Sequence, residues 1–127
     1  MNSPQMEWRN IEGYPGYWIS EEGKIQNKKC KILRQWLQRS NAKEYWYVCL
    51  WLKNKKRNLR VHRLVAIAFL SNPYRLPEVD HKDRDTMNCH KDNLQWASTS
   101  YNNSVKAGRS RYLAREEAER ERLLENA

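Results

Sequence analysis

The run Tyr45 to Leu52, Tyr-Trp-Tyr-Val-Cys-Leu-Trp-Leu, constrains the fold more than any other stretch. Nearly every residue favours a pleated surface and both alternating faces are apolar, so it reads as a central strand covered on both sides. With 127 residues, 39% of them hydrophobic, the chain has room for one modest core around such a strand and not for two large domains. Upstream, Glu7 to Asn27 carries Trp8 and Ile11, a turn at Gly13-Tyr14-Pro15-Gly16 and the short runs Tyr17 to Ser20 and Lys24 to Asn27, the pattern of a compact β unit. Lys28 to Lys43 spaces Leu33, Trp36 and Leu37 irregularly, which leaves strand and short helix both open.

Downstream, a polar turn over Lys53 to Asn58 leads to Leu59-Arg60-Val61-His62 as hairpin partner. Arg63 to Leu70 reads as a short buried helix stopped by Ser71-Asn72-Pro73. The chain is extended at Val79-Asp80-His81, loops through Asp92 and forms a second short strand at Leu94 to Ala97. Ser98-Thr99-Ser100 offers caps for a helix over Tyr101 to Ala107, closed by Gly108. The remainder is rich in Glu, Arg, Leu and Ala, with Glu116 and Arg120 at i,i+4, and reads as a solvated helix. Its Leu113, Ala118, Leu123 and Leu124 hold no heptad.

The placement of charge narrows the function. The net charge is +9, yet residues 108–127 hold five Arg and five Glu, so the whole excess lies before them. Seven Lys/Arg fall between Gly23 and Lys43, and seven more between Tyr45 and Pro77, with no Asp or Glu in either run. Long acid-free basic runs are the footprint of a polyanion binder and rank nucleic acid ahead of a generic soluble surface. A membrane surface ranks lower, since no stretch approaches the ~20 apolar residues of a spanning helix. Met1 to Asn10 lacks the apolar core of a secretion signal. Cys30, Cys49 and Cys89 form no CxxC pair and cannot all pair, which points to a reducing, cytoplasmic setting.

Within that basic chain, Val79-Asp80-His81-Lys82-Asp83 is followed by Asn88, Asn93-Leu94-Gln95-Trp96 and Asn102, joining a hard oxygen ligand, a neutral base and several carboxamides within 23 residues. The combination points to metal-assisted cutting of nucleic acid. With Val61-His62-Arg63-Leu64-Val65-Ala66 before it, and Trp8, Gly13-Tyr14, Gly16-Tyr17, Ile19-Ser20 and Gly23 further upstream, the chain resembles HNH endonucleases of the phage and intron homing type. The resemblance covers roughly residues 7 to 107.

The resemblance implies an α+β fold: a small β-rich N-terminal DNA-binding module over 7–52, a ββα-metal nuclease core with its preceding strand and helix over 53–107, and a charged helical tail over 108–127. It assigns His81 as general base, Asn93 as the structural asparagine that directs it, Asp80 as first metal ligand and Asn102 as second, with Asn103 as a rival. The cofactor implied is one Mg²⁺ or Mn²⁺ per site, since all-oxygen ligation suits these ions better than zinc. The partner implied is double-stranded DNA, bound by a monomer or weak homodimer working in the cytoplasm of a phage-infected bacterium. Two departures fall in the loop: Arg84-Asp85 stands where relatives have Gly-Asn, and Cys89 where many have a second Asn.

Lys53, Lys55, Lys56 and Arg57 read as phosphate contacts, which position the backbone without reading sequence. Arg60, Arg63, Lys28, Lys29 and Lys31 extend the same basic surface. His62 and His90 read as structural or solvated, Asn88 as a turn former, and Trp46, Trp51 and Trp96 as core. Cys89-His90 lacks the spacing of a zinc site. A non-catalytic DNA-binding protein using the same basic surface is the alternative, and an RNA-directed protein a third.

Overall fold

The computed structural model describes residues 6–40 and 43–101. The helix expected over Tyr101 to Ala107 and the charged tail therefore lie outside the described residues, apart from a helical start at 99–101, where the Tyr101 N–H donates to Ser98 Oγ (3.1 Å). Three antiparallel sheets make up the rest: β1 (Trp8–Ile11), β2 (Tyr14–Ser20) and β3 (Ile25–Asn27); β4 (Trp36–Ser40), β5 (Lys43–Leu52) and β6 (Lys55–Arg60); and the ribbon β7 (Glu78–His81) with β8 (Leu94–Ala97). The helix α1 (Val61–Phe69) lies between the second and third sheets in sequence.

β5 is the middle strand of its sheet, as its composition predicts, but it is not covered on both sides throughout. Successive strand side chains leave on opposite faces. Val48 and Leu50 are fully buried on one face and Trp46 packs beside them. On the other, Tyr45 and Tyr47 are covered, whereas Trp51 is 53% exposed and lies on the surface, contrary to its reading as core. A residue type that fits a half-buried pleat does not report how far the overlying layer extends.

The expected polar turn over Lys53 to Asn58 shrinks to two residues. Lys53 and Asn54 both adopt positive φ (49° and 64°), the left-handed pair whose twist matches antiparallel strands. Lys55 to Asn58 then pair with β5, Lys55 opposite Leu52 and Asn58 opposite Cys49, because cross-strand pairing overrides the weak strand preference of Lys, Arg and Asn. Val61 and His62, expected to end that strand, open α1 instead, two residues before the anticipated start. The ambiguous segment after Lys28 resolves into β4 and a single bridge from Ile32 to Gln26.

Val61, Leu64 and Val65 recur at helical spacing and bury one face of α1 in a core that also takes Ile11, Ile19 and Ile25 from the first sheet, Val48 and Leu50 from β5, and Val79, Cys89 and Leu94 around the ribbon. Polar ties fix the ribbon against this core. The Trp96 indole donates to Leu70 O (3.2 Å), Arg63 Nη1 to Pro77 O (2.9 Å) and the Trp46 indole to Met87 O (3.2 Å).

Gly23 turns β2 into β3 at φ +92°, and a β-carbon there would meet Val61 Cγ1 at 3.0 Å. Gly23→Ala is expected to lower unfolding stability by at least ~1 kcal/mol, from the left-handed conformation alone, as read in a urea titration. An unchanged midpoint would contradict this packing of the turn on α1.

Candidate active site

The ribbon presents its functional side chains through register. β7 pairs with β8 so that Asp80 lies opposite Gln95 and His81 opposite Leu94. Asp80 and His81 are 6% and 4% exposed, yet both line a cleft of about 110 Å³ with Lys43, Tyr45, Arg60, His62, Arg63, Glu78 and Arg84. Two adjacent buried polar residues at the wall of a basic cleft are costly for folding, and such expense clusters where chemistry is done.

The Asp80 carboxylate is gripped at both oxygens. Gln95 Nε2 donates to Oδ2 at 2.9 Å, and Arg84 Nη1 to Oδ1 at 3.1 Å. Gln95 is a residue that sequence reasoning missed. Its only signal was the Asn-Leu-Gln-Trp run, and its contact with Asp80 follows from the strand register rather than from proximity along the chain.

His81 is enclosed by rings. Its centroid lies 4.8 Å from His62 and 6.2 Å from Tyr45, and Tyr45 lies 5.2 Å from His62. Burial pushes the His81 imidazole pKa down, against the raising effect of the Asp80 carboxylate. Its Nε2 is buried without a hydrogen-bond partner among the described residues, as is Nδ1 of His62. His62, expected to be structural or solvated, is thus part of the wall behind the candidate base. Its pKa is pushed down to about 3, first by burial and then by His81.

A histidine buried neutral binds fewer protons folded than unfolded, so stability falls as pH drops from 6.5 toward 3, with a limiting slope of ~1.4 kcal/mol per unit. Between pH 6.5 and 5 the wild type is expected to lose about 1.5–2 kcal/mol more than His62→Phe in paired urea titrations. Parallel losses would place the His62 ring in solvent instead.

The loop between the two strands is latched by Asn93. Its Oδ1 accepts from the Asp83 N–H (3.1 Å), while Nδ2 donates to Asp83 Oδ1 and Asn88 O, both at 2.9 Å. Its carbonyl accepts from the Lys82 N–H (2.7 Å), so one asparagine closes the loop directly behind His81. Asn88 donates to Asp83 Oδ2 (3.0 Å), a turn-forming role as expected. The Asn88 amide, the Asp85 N–H and the Asn93 amide together hold the Asp83 carboxyl below the usual carboxylate range. His90 accepts from the Asp92 N–H (3.1 Å) and stays structural.

Arg84 follows in this loop at φ +67°. Cys89, on the core side, is buried, and burial pushes its thiol up to about 12, which makes it inert packing.

The sequence-derived site is therefore partly assembled: Asp80, His81 and Asn93 converge on one end of the ribbon, while Asn102 and its rival Asn103 lie outside the described residues. A divalent ion fits what is present. A buried carboxylate on a small basic cleft is a hard oxygen donor with room left for water and phosphate oxygens. Among the described residues no three His, Cys, Asp or Glu side chains group to form a closed cage.

The basic residues divide in two. Arg60 and Arg63 border the cleft beside Asp80 and His81: Arg60 donates to the Tyr47 hydroxyl (2.9 Å) and Ser40 Oγ (3.1 Å), and Arg63 lies over the Trp96 ring. Lys28, Lys29 and Lys53 line a second, shallower cleft of about 470 Å³ with Tyr17, Trp51 and Leu52. Lys55, Lys56 and Arg57 are exposed along β6, an edge strand, and Lys31 is exposed after β3.

The chain is similar to known proteins in sequence and in fold. A family model described as the NUMOD4 motif matches residues 6–51. The chain is 34% identical over 99 residues to DNA endonuclease I-HmuI of Bacillus phage SP01, covering 76% of this chain and 55% of that protein. It is 38% identical over 96 residues to an uncharacterized HNH endonuclease of Acanthamoeba polyphaga mimivirus, covering 76% and 28%. A solved structure of the HNH homing endonuclease I-HmuI, described as binding and cleaving DNA, superposes with a TM-score of 0.69 at 34% identity, covering 81% of this chain and 60% of the other. The chain thus spans between 28% and 60% of the length of these relatives.

Proposed function

We propose, from the premise that this chain is a homologue of the HNH homing endonucleases and carries the NUMOD4 motif, that it is a metal-dependent endonuclease hydrolysing phosphodiester bonds in duplex DNA. The observation that carries the reading is the adjacency of two buried polar side chains, Asp80 and His81, on a cleft bordered by Lys43, Arg60, Arg63 and Arg84. A purely binding surface gains nothing from burying that pair.

In this reading Asp80 would hold one Mg²⁺ or Mn²⁺ together with Asn102, the pair of ligands that a ββα-metal site calls for. When bound, the ion neutralises charge on the phosphoryl oxygens and acidifies its water. His81, kept neutral by burial, accepts the proton of the attacking water. Asn93 keeps the loop closed and the imidazole aimed. Arg60 and Arg63 neutralise flanking phosphates, and Lys28, Lys29, Lys31, Lys53, Lys55, Lys56 and Arg57 hold the duplex without specifying sequence.

A monomer with one such site makes one nick per visit, so a double-strand break needs a weak homodimer or a second visit. Among the described residues no helix is long and apolar enough to cross a membrane, and the proposed setting is the cytoplasm of a phage-infected bacterium.

The test uses end-labelled duplex DNA and structured RNA at one salt concentration, with Mg²⁺ or with chelator. Cleavage of duplex, one strand at a time and only with Mg²⁺, is expected. Binding without cleavage under every condition would return the chain to a non-catalytic DNA-binding role, and cleavage confined to RNA would change the substrate.

A further inference from the structure

Arg84 is held in a conformation that few non-glycine residues adopt, at φ +67°. Its guanidinium reaches back four residues to Asp80 Oδ1 at 3.1 Å and lines the same cleft. The two oxygens of Asp80 are held unequally. Oδ2 is bound by Gln95, anchored in the β7–β8 ribbon through its position opposite Asp80. Oδ1 is bound by a side chain that is 40% exposed and sits on a loop. A buried carboxylate without a compensating cation is strongly disfavoured, and Arg84 supplies that cation.

We propose that Arg84 is a resident counter-cation of the metal seat, occupying the Asp80 oxygen that a divalent ion takes, so that ion binding and the Arg84 pair exclude one another. The inference rests on the reading of Asp80 as a metal ligand. Gln95 keeps its hydrogen bond in both states and fixes which oxygen is offered, while Arg84 leaves as the ion arrives. Two positive groups cannot share one carboxylate oxygen at contact distance without strong repulsion. Arg84 is thus a positioning residue: it holds the Asp80 carboxylate in place before the ion arrives, and it sets the affinity against which the ion must compete.

The test is Mn²⁺ binding, followed by electron paramagnetic resonance of the free ion, to the full chain without DNA. Arg84→Gly suits the left-handed backbone and removes the competitor; Arg84→Lys keeps a charge within reach of Oδ1. Arg84→Gly is expected to bind Mn²⁺ roughly two- to fivefold more tightly than wild type, the scale of a partly exposed ion pair, while Arg84→Lys stays near wild type. Wild-type binding that requires Asp80 but is unchanged or weakened in Arg84→Gly would overturn the inference and leave the endonuclease reading intact. Wild-type binding indifferent to Asp80→Ala would overturn both.

Discussion

His81→Ala loses DNA cutting by about 10²- to 10⁴-fold, the usual worth of a positioned general base, while its affinity for duplex DNA stays within about twofold of wild type. The asymmetry follows from the site. The cationic groups that would hold phosphate, Arg60, Arg63 and the lysines around Trp51, lie on other elements, whereas His81 is only 4% exposed and contributes an imidazole kept neutral by burial. Removing it takes away the proposed proton acceptor and leaves the basic surface whole. The same burial places the acid limb of the wild-type rate below the ordinary imidazole value of about 6.5, because protonating His81 inside the cleft is disfavoured. Single-turnover cutting beside gel-shift binding measures both halves. A variant that cuts at the wild-type rate removes His81 from the chemistry.

Asp80→Ala is the second large effect. It removes the one buried carboxylate among the described residues of the cleft, so cutting falls by at least ~10²-fold, and the Mg²⁺ concentration needed for half-maximal residual activity rises with it. It also leaves Arg84 and Gln95 without their common acceptor. A magnesium titration of wild type and variant decides the matter: loss of rate with an unchanged magnesium midpoint would make Asp80 a structural residue and move the ion elsewhere.

What the sequence made legible, and what it did not, divides by the distance over which information must travel. The resemblance singles out Asp80, His81 and Asn93, and a short loop brings them together, closed by Asn93 through hydrogen bonds to Lys82, Asp83 and Asn88, all within a dozen residues. The two short strands at the ends of that loop are legible in their residue pattern. Gln95 was invisible as an Asp80 partner because only the register of β7 on β8 sets them opposite each other. His62 was invisible because its ring meets His81 through the packing of α1 against β5 and β7, not through sequence spacing.

Arg84 stood out only as a departure in the loop, since neither its left-handed backbone nor its reach to Asp80 is written in residue type. The turn after β5 misled in the opposite direction: Lys55 to Asn58 have the composition of a loop, but a tight turn at Lys53 and Asn54 commits them to pairing. Trp51 misled because aromatic content marks a strand and says nothing of what lies above it.

Asp80 and His81 are the proposed hydrolytic centre of a metal-dependent DNA endonuclease. Relaxation of supercoiled plasmid by the purified chain, with Mg²⁺ added or chelated, tests it most directly. Conversion to open circles with Mg²⁺, none with chelator and none by His81→Ala is the predicted result. A plasmid that remains supercoiled at every Mg²⁺ concentration, while the same protein shifts duplex DNA in a gel, would contradict it.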